Sequence, residues 1–116
     1  PECIKYLAGV MDIPEIWIEE VMSFYSMFNK KPVGQFHVQV CCNISCSMNG
    51  GRELLKHLCD SFQVDRDTVT ADGRYSFTNV ECLGACDKAP MMQVNADKYF
   101  EDLTNESAVS IVKGLK

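Results

Sequence analysis

The sequence predicts an α/β protein, with a helical N-terminal segment over residues 1–30 followed by a mixed strand-and-helix domain over residues 31–116. Three observations carry that reading. Helix-start signals and an apolar stripe occupy the stretch before Lys30, a strict two-residue alternation runs from Gln35 to Cys41, and Leu54, Leu55, Leu58 and Phe62 then recur at helical spacing. At 116 residues and 13.0 kDa the chain can bury one core without disulfide staples.

Taken in order, Ile4 to Val10 reads as a short helical piece. A second helix is expected from Asp12, with Asp12 near its cap, Pro14 in its first turn and Glu15, Glu19 and Glu20 toward its positive end. Its apolar stripe is Trp17, Val21, Tyr25 and Phe28. Lys30, Lys31, Pro32 and Gly34 mark a connector, because proline and glycine both disfavour continued helix. Phe36, Val38 and Val40 then alternate with Gln35, His37 and Gln39, the pattern of a half-buried strand. A loop from Cys42 to Asn49 is expected to lead into a helix over Gly50 to Phe62. Asp72-Gly73 signals a turn before a second strand through Tyr75 and Phe77. Met91 to Val94 and Lys98 to Phe100 flank Asn95-Ala96-Asp97 as a hairpin, and Thr104 caps a last helix carrying Ala108, Val109, Val112 and Leu115.

Composition narrows the function. Eleven basic against sixteen acidic residues give a net charge of −5 with no basic block, so nucleic acid is not an expected partner. No stretch approaches the roughly 20 uninterrupted apolar residues that span a bilayer, and direct membrane insertion is not expected. The chain begins at Pro1 instead of Met, which suggests a processed or trimmed product. Seven cysteines are many for a reducing compartment and odd in number, so metal binding is a better explanation than a disulfide framework.

The cysteine spacing is Cys41-x4-Cys46, then Cys82-x3-Cys86, each pair following a predicted strand. Four thiolates can hold two irons, two on each, and short loops let backbone N–H groups turn toward the sulfurs. Gly84 suits such a curl because it tolerates positive φ, and Pro90 stiffens the exit. Free cysteine is often simply a buried apolar residue, but two short-spaced pairs at strand ends are hard to produce by packing alone. A structural zinc site is the stronger rival, since zinc ligand pairs also stand two to four residues apart. Neither pair has the C-x-x-C spacing of a redox dithiol. Spacing leaves one choice open, because Cys42-x3-Cys46 mirrors the second pair as well as Cys41-x4-Cys46 serves the first. Cys59 reads as core, Cys3 has no near partner, and His37 and His57 stand alone, which disfavours a site with two histidines on one iron.

The run Val80-Glu81-Cys82-Leu83-Gly84-Ala85-Cys86-Asp87-Lys88-Ala89-Pro90 resembles, without interruption, the second cysteine motif of the thioredoxin-like [2Fe–2S] subunit family of NADH:quinone oxidoreductase, respiratory complex I. Val40-Cys41-Cys42-Asn43-Ile44-Ser45-Cys46 with Gly50 is similar to the family's first motif, as Ser23-Phe24-Tyr25-Ser26-Met27-Phe28 and Tyr99 to Thr104 are to further family segments. The resemblance implies a thioredoxin-like ferredoxin domain after the N-terminal helices. It assigns Cys41, Cys46, Cys82 and Cys86 as ligands of one [2Fe–2S] cluster and leaves Cys42 as a neighbour. Ser45 stands where many relatives have proline, and Ser47-Met48-Asn49 replaces a stretch that is often bulkier and basic.

The implied activity is single-electron exchange with the flavin of a partner subunit that oxidises NADH. FMN and NADH then sit only on that partner, and the isolated chain is an electron carrier with no catalytic residue of its own. The implied location is the cytoplasmic face of a bacterial membrane, or the matrix side in a mitochondrion, as a peripheral part of the complex. The diaphorase module of an NAD(P)-linked hydrogenase or formate dehydrogenase is the alternative, and a zinc-stabilised interaction module a more distant one.

Overall fold

The structure is a computed structural model that describes residues 2–25 and 27–116; Pro1 and Ser26, the latter within the aromatic segment from Ser23 to Phe28, lie outside the described residues. The chain divides into two compact units, Pro1–Pro32 and Val33–Lys116.

The first unit holds helix α1, Glu2–Met11, and helix α2, Glu15–Phe24. Asp12 is not the cap of α2. Its backbone is left-handed, with φ of 53°, and Pro14 takes the cap position with an extended backbone and no side-chain hydrogen bond. An acid in the connector therefore turns the chain between the helices instead of capping the second one. The helix also stops earlier than its apolar stripe predicts: Tyr25 is the C-cap, and Phe28 lies beyond it.

The second unit is built on a four-stranded sheet in the order β2-β1-β3-β4, where β1 is Phe36–Cys41, β2 Tyr75–Val80, β3 Met92–Val94 and β4 Lys98–Phe100. Strand β1 pairs parallel with β2, with Phe36 opposite Tyr75 and Cys41 opposite Val80. A parallel pair needs a crossover. Here it contains α3, Ile44–Met48, and α4, Gly51–Phe62. The other two pairings, β1 with β3 and β3 with β4, are antiparallel. The predicted hairpin is present, and both Asn95 and Ala96 adopt the positive φ that a tight turn demands.

The expected loop from Cys42 to Asn49 is in fact mostly helix. Asn43 ends its own extended backbone by accepting a 2.7 Å hydrogen bond from the Ile44 N–H, which starts α3. The last helix, α5, Asn105–Lys113, begins as predicted: Thr104 accepts from the Ser107 N–H while Ser107 answers the Thr104 N–H.

One face of the sheet carries the main core. Val38, Val40, Phe77 and Met92 pack with Leu54 and Leu58 of α4 and Ala108 and Val112 of α5, all essentially closed to solvent. Alternation along β1 and β2 delivers these side chains to one side.

The opposite face is polar but not open. Gln39 is buried and takes a hydrogen bond from Gln93, and buried Ser76 accepts from the Gly34 N–H at 2.9 Å. The Ser76 hydroxyl also lies 2.8 Å from His37 Nδ1, and when it donates there the ring is neutral with its proton on Nε2. Burial accordingly pushes the His37 pKa down from 6.5, with the Asp67 carboxylate acting weakly in the other direction.

Because the folded state holds this ring neutral, its contribution to stability is present above pH 6.5 and is lost as the pH falls below it, where the unfolded chain gains the proton first. Lowering the pH from about 7.5 to about 5 should depress the urea midpoint more in the native chain than in His37→Gln, whose amide oxygen still accepts from Ser76. Equal depression in the two proteins would show that His37 does not carry the effect.

Candidate metal centre

Parallel pairing places the C-terminal ends of β1 and β2 side by side, so the segments that leave them emerge at one end of the sheet. Cys41 is the last residue of β1, Cys46 lies in α3, and Cys82 and Cys86 lie in the loop after β2. The Cys42 N–H donates to the Val80 carbonyl at 3.1 Å, continuing the ladder one step past the strands.

Two hydrogen bonds tie the first cysteine segment to the second, and a third anchors the exit of the second loop. The Ser45 hydroxyl donates to the Cys86 carbonyl at 3.1 Å, directly linking the first loop to the second. The Cys41 N–H donates to the Met91 carbonyl at 3.2 Å, and the Leu103 N–H donates to the Pro90 carbonyl at 3.0 Å, which anchors the far end of the second loop. Gly84 has φ of 79°, the left-handed curl expected of it, and its N–H points at Cys82 Sγ at 3.4 Å.

The four sulfurs are not equivalent. Cys41 and Cys46 are buried with Met91 in a small cluster of their own, flanked by Leu83, Ala85 and Ala89, whereas Cys82 and Cys86 are exposed. Burial, together with the neighbouring thiols of Cys41 and Cys86, pushes the Cys46 pKa up to about 12, with the Met91 amide offsetting a little of the rise. Cys41, Cys46 and Cys86 therefore share one electrostatic neighbourhood, and Cys82 is exposed.

Cys42 faces the other way. Adjacent strand residues point to opposite sides of a sheet, and Cys42 packs against the main core, as Cys59 does. Both line a cavity of about 560 Å³ along α4, with Arg52, Leu55, Arg66 and Val80, and burial pushes both thiols up in pKa. The pleat thus puts Cys41, not Cys42, on the side of Cys46. Cys59 is core, as expected, and His37 belongs to the polar network of the sheet.

As a donor set these residues suit a two-iron group. Four thiols are supplied as two pairs, with N–H donors aimed at Cys82 and Cys46. Among the described residues, no three His, Cys, Asp or Glu side chains, these four cysteines included, are gathered closely enough to hold a metal ion as they stand.

The sequence as a whole, residues 1–116, matches the family of thioredoxin-like [2Fe-2S] ferredoxins. The chain belongs to that family. Its cofactor class is therefore the [2Fe–2S] cluster, for which the four thiols are chemically fitted. It is 40% identical over 113 residues to an NADH-quinone oxidoreductase subunit of Rickettsia bellii, in a match that covers 97% of this chain and 67% of that protein. An NADH-quinone oxidoreductase subunit of Rhizobium meliloti is 38% identical over 96 residues, covering 83% of this chain and 57% of the relative. Against these curated relatives, the chain thus spans between 57% and 67% of their length.

Solved structures agree on the fold. A thioredoxin-like [2Fe-2S] ferredoxin from Aquifex aeolicus superposes with a TM-score of 0.56 at 24% identity, over 67% of this chain and 76% of that one. An NAD+-reducing [NiFe]-hydrogenase chain superposes with a TM-score of 0.79 at 21% identity, over 99% of this chain and 20% of the hydrogenase chain. Among the described residues no helix is long and apolar enough to cross a membrane.

Sequence reasoning missed α3, Ser45 as the tie between the loops, and Met91 as the wall behind the buried pair. Asn43 directly before an apolar residue was the available signal for α3. The other two depend on contacts between residues 41 or more positions apart and leave no local trace.

Two measurements probe this geometry. In cluster-free protein, mass-spectrometric mapping after a short pulse of alkylating reagent should find Cys82 and Cys86 modified at least about tenfold faster than Cys41 and Cys46, because thiolate access sets the rate. Gly51→Ala should cost about 1–3 kcal/mol in urea unfolding by overpacking. A Cβ there would sit 2.6 Å from the Cys41 carbonyl oxygen and 2.9 Å from that of Cys46, both backbone atoms with little room to yield.

Proposed function

We propose that the chain is an electron-transfer component of an NADH-quinone oxidoreductase, with Cys41 and Cys46 holding one iron of a [2Fe–2S] cluster and Cys82 and Cys86 the other. The observation that carries the reading is the parallel pairing of β1 with β2, which brings both cysteine-bearing segments to one end of the sheet. When bound, the group supplies one-electron oxidation and reduction at that end.

The chain's own residues hold and place it. The buried pair anchors the site against Met91, and its thiols must give up their protons to bind iron, so assembly is coupled to proton release. The exposed pair brings the other half to the surface, where a redox partner can approach. The Gly84 N–H on Cys82 Sγ favours the electron-rich sulfur and is one lever on the reduction potential. Hydride chemistry, with NADH and FMN, stays on a flavin-bearing partner subunit. The complex is peripheral to the membrane in this reading.

Identity of 40% to a subunit of the quinone-linked enzyme supports this assignment over the hydrogenase or formate dehydrogenase module, for which the likeness at 21% speaks for fold alone.

Protein made anaerobically with ample iron and then reduced with dithionite should give the half-spin EPR signal of a single two-iron centre, with iron and acid-labile sulfide in equal amounts. Cys82→Ala and Cys86→Ala should lose the signal or hold it poorly, while Cys42→Ser should keep it. A colourless protein containing one zinc and no sulfide would sink the proposal. A coloured Cys41→Ser protein beside a colourless Cys42→Ser protein would overturn the ligand assignment alone.

A further inference from the structure

The loop that carries the exposed cysteines is firmly held at its exit and loosely before it. At the exit, the carbonyl of Lys88, the last residue of the 3-10 turn Cys86–Lys88, accepts from the Asp102 N–H at 3.0 Å, and Lys88 Nζ lies 3.4 Å from the Asp102 carboxylate. The Leu103 N–H then holds the Pro90 carbonyl. Upstream the ties thin out. Among the described residues, the stretch Cys82–Asp87 makes a single hydrogen bond to any residue outside 81–91, the 3.1 Å bond from the Ser45 hydroxyl to the Cys86 carbonyl. Leu83 and Ala85 pack against the buried cluster of Cys41, Cys46 and Met91, but apolar contact is non-directional and does not fix which atom faces which.

The donor of that bond stands on a braced support. Helix α3 has five residues, too few to keep its shape through its own backbone, and its neighbours hold it. The Ser47 N–H donates to the Asn43 carbonyl at 2.7 Å, and the Ser47 hydroxyl donates to the Cys42 carbonyl at 2.8 Å, which ties the helix back to the end of β1. From α4, Arg52 Nε donates to Ser47 Oγ at 3.1 Å, and Asn49 Nδ2 donates to the Ser45 carbonyl at 2.8 Å. Ser45 is therefore fixed through its own backbone while its side chain reaches out to the second loop. Because Ser45 directly precedes buried Cys46, its hydroxyl joins the backbone of Cys86 to the residue next to Cys46.

We propose that Ser45 is a positioning residue of the candidate metal centre, whose hydroxyl sets Cys86 against Cys46 across the gap between the exposed and the buried pair. The inference rests on the ligand assignment proposed above, in which Cys46 and Cys86 hold different irons, and it adds a group that touches neither iron nor sulfur. Outer hydrogen bonds of this kind orient ligating side chains and strengthen their hold on the metal. Without the hydroxyl, the loop keeps its exit anchor and its apolar contacts, but Cys86 is free to swing about that anchor, and the iron it holds leaves more readily.

Ser45→Ala removes the donor and Ser45→Thr restores it. Amide hydrogen exchange on cluster-free protein reads the tie with no metal present. The Lys88 N–H, which closes the turn on the Ala85 carbonyl at 3.1 Å, should exchange about fivefold faster in Ser45→Ala, the factor that one ordinary neutral hydrogen bond contributes. Amides of α4 should keep the parent rate, and Ser45→Thr should stay within about twofold of the parent throughout. In protein that shows the two-iron EPR signal, transfer of iron to a chelator should be at least about fivefold faster from Ser45→Ala, with Ser45→Thr again like the parent. A parent that never shows that signal takes down the ligand assignment and this inference together. A parent that shows it, beside a Ser45→Ala protein at the parent's rate in either measurement, overturns the role of Ser45 alone. So does a Ser45→Thr protein as labile as Ser45→Ala, or faster exchange spread evenly through α4, which marks a general loss of stability.

Discussion

Everything at the cysteine-bearing end of the sheet follows from the parallel register of β1 and β2. With Cys41 opposite Val80, two segments separated by some forty residues leave the sheet from neighbouring strands in the same direction. Had the two strands paired antiparallel, Cys41 and Cys82 would emerge at opposite ends, and no rearrangement of short loops could reunite them. The parallel choice depends on a crossover, and α4 is that crossover. Its Leu54, Leu55 and Leu58 face the core side of the sheet, so the packing that stabilises the fold also sets the direction of β2. Ligand sites beyond the carboxyl ends of strands are the general result of this geometry.

The same end of the sheet divides the work between a dry pair and a wet one. Cys41 and Cys46 sit behind Met91, where burial makes ionisation of the Cys46 thiol costly. Cys82 and Cys86 face solvent on a loop that owes its shape to the left-handed backbone at Gly84. Burial on one side gives a rigid foundation, while exposure on the other gives access. Ser45 bridges the two, and it does so with a side-chain hydroxyl reaching a backbone carbonyl, a link that the ring of proline could not make.

The two units of the chain are built on different terms. Val33–Lys116 builds a core from its own residues while leaving Ile44 and Met48 exposed, and none of its buried side-chain polar atoms among the described residues lacks a partner. The helices of Pro1–Pro32 leave an apolar groove along their length, edged by glutamates. Amphipathic spacing alone does not distinguish these cases, because a stripe on a helix records that something is to be covered and not what covers it.

Local chemistry was legible in the sequence wherever a residue acts on its near neighbours. The alternation of Phe36, Val38 and Val40 marked β1, leucine spacing marked α4, Thr104 marked the start of α5, and positive φ at Gly84 followed from the demands of a tight curl. The cysteine pairs, being short-range patterns, were equally plain. Where a local rule misled, in the segment after Cys42, a competing local interaction won: the Asn43 cap. Only tertiary structure decided which of Cys41 and Cys42 faces Cys46, that Ser45 and Met91 tie the two loops together, and that His37 is half-buried against Ser76. The reason is physical: spacing along a chain specifies which side of a strand or helix a side chain occupies, but what waits on that side is set by pairing across forty residues or more.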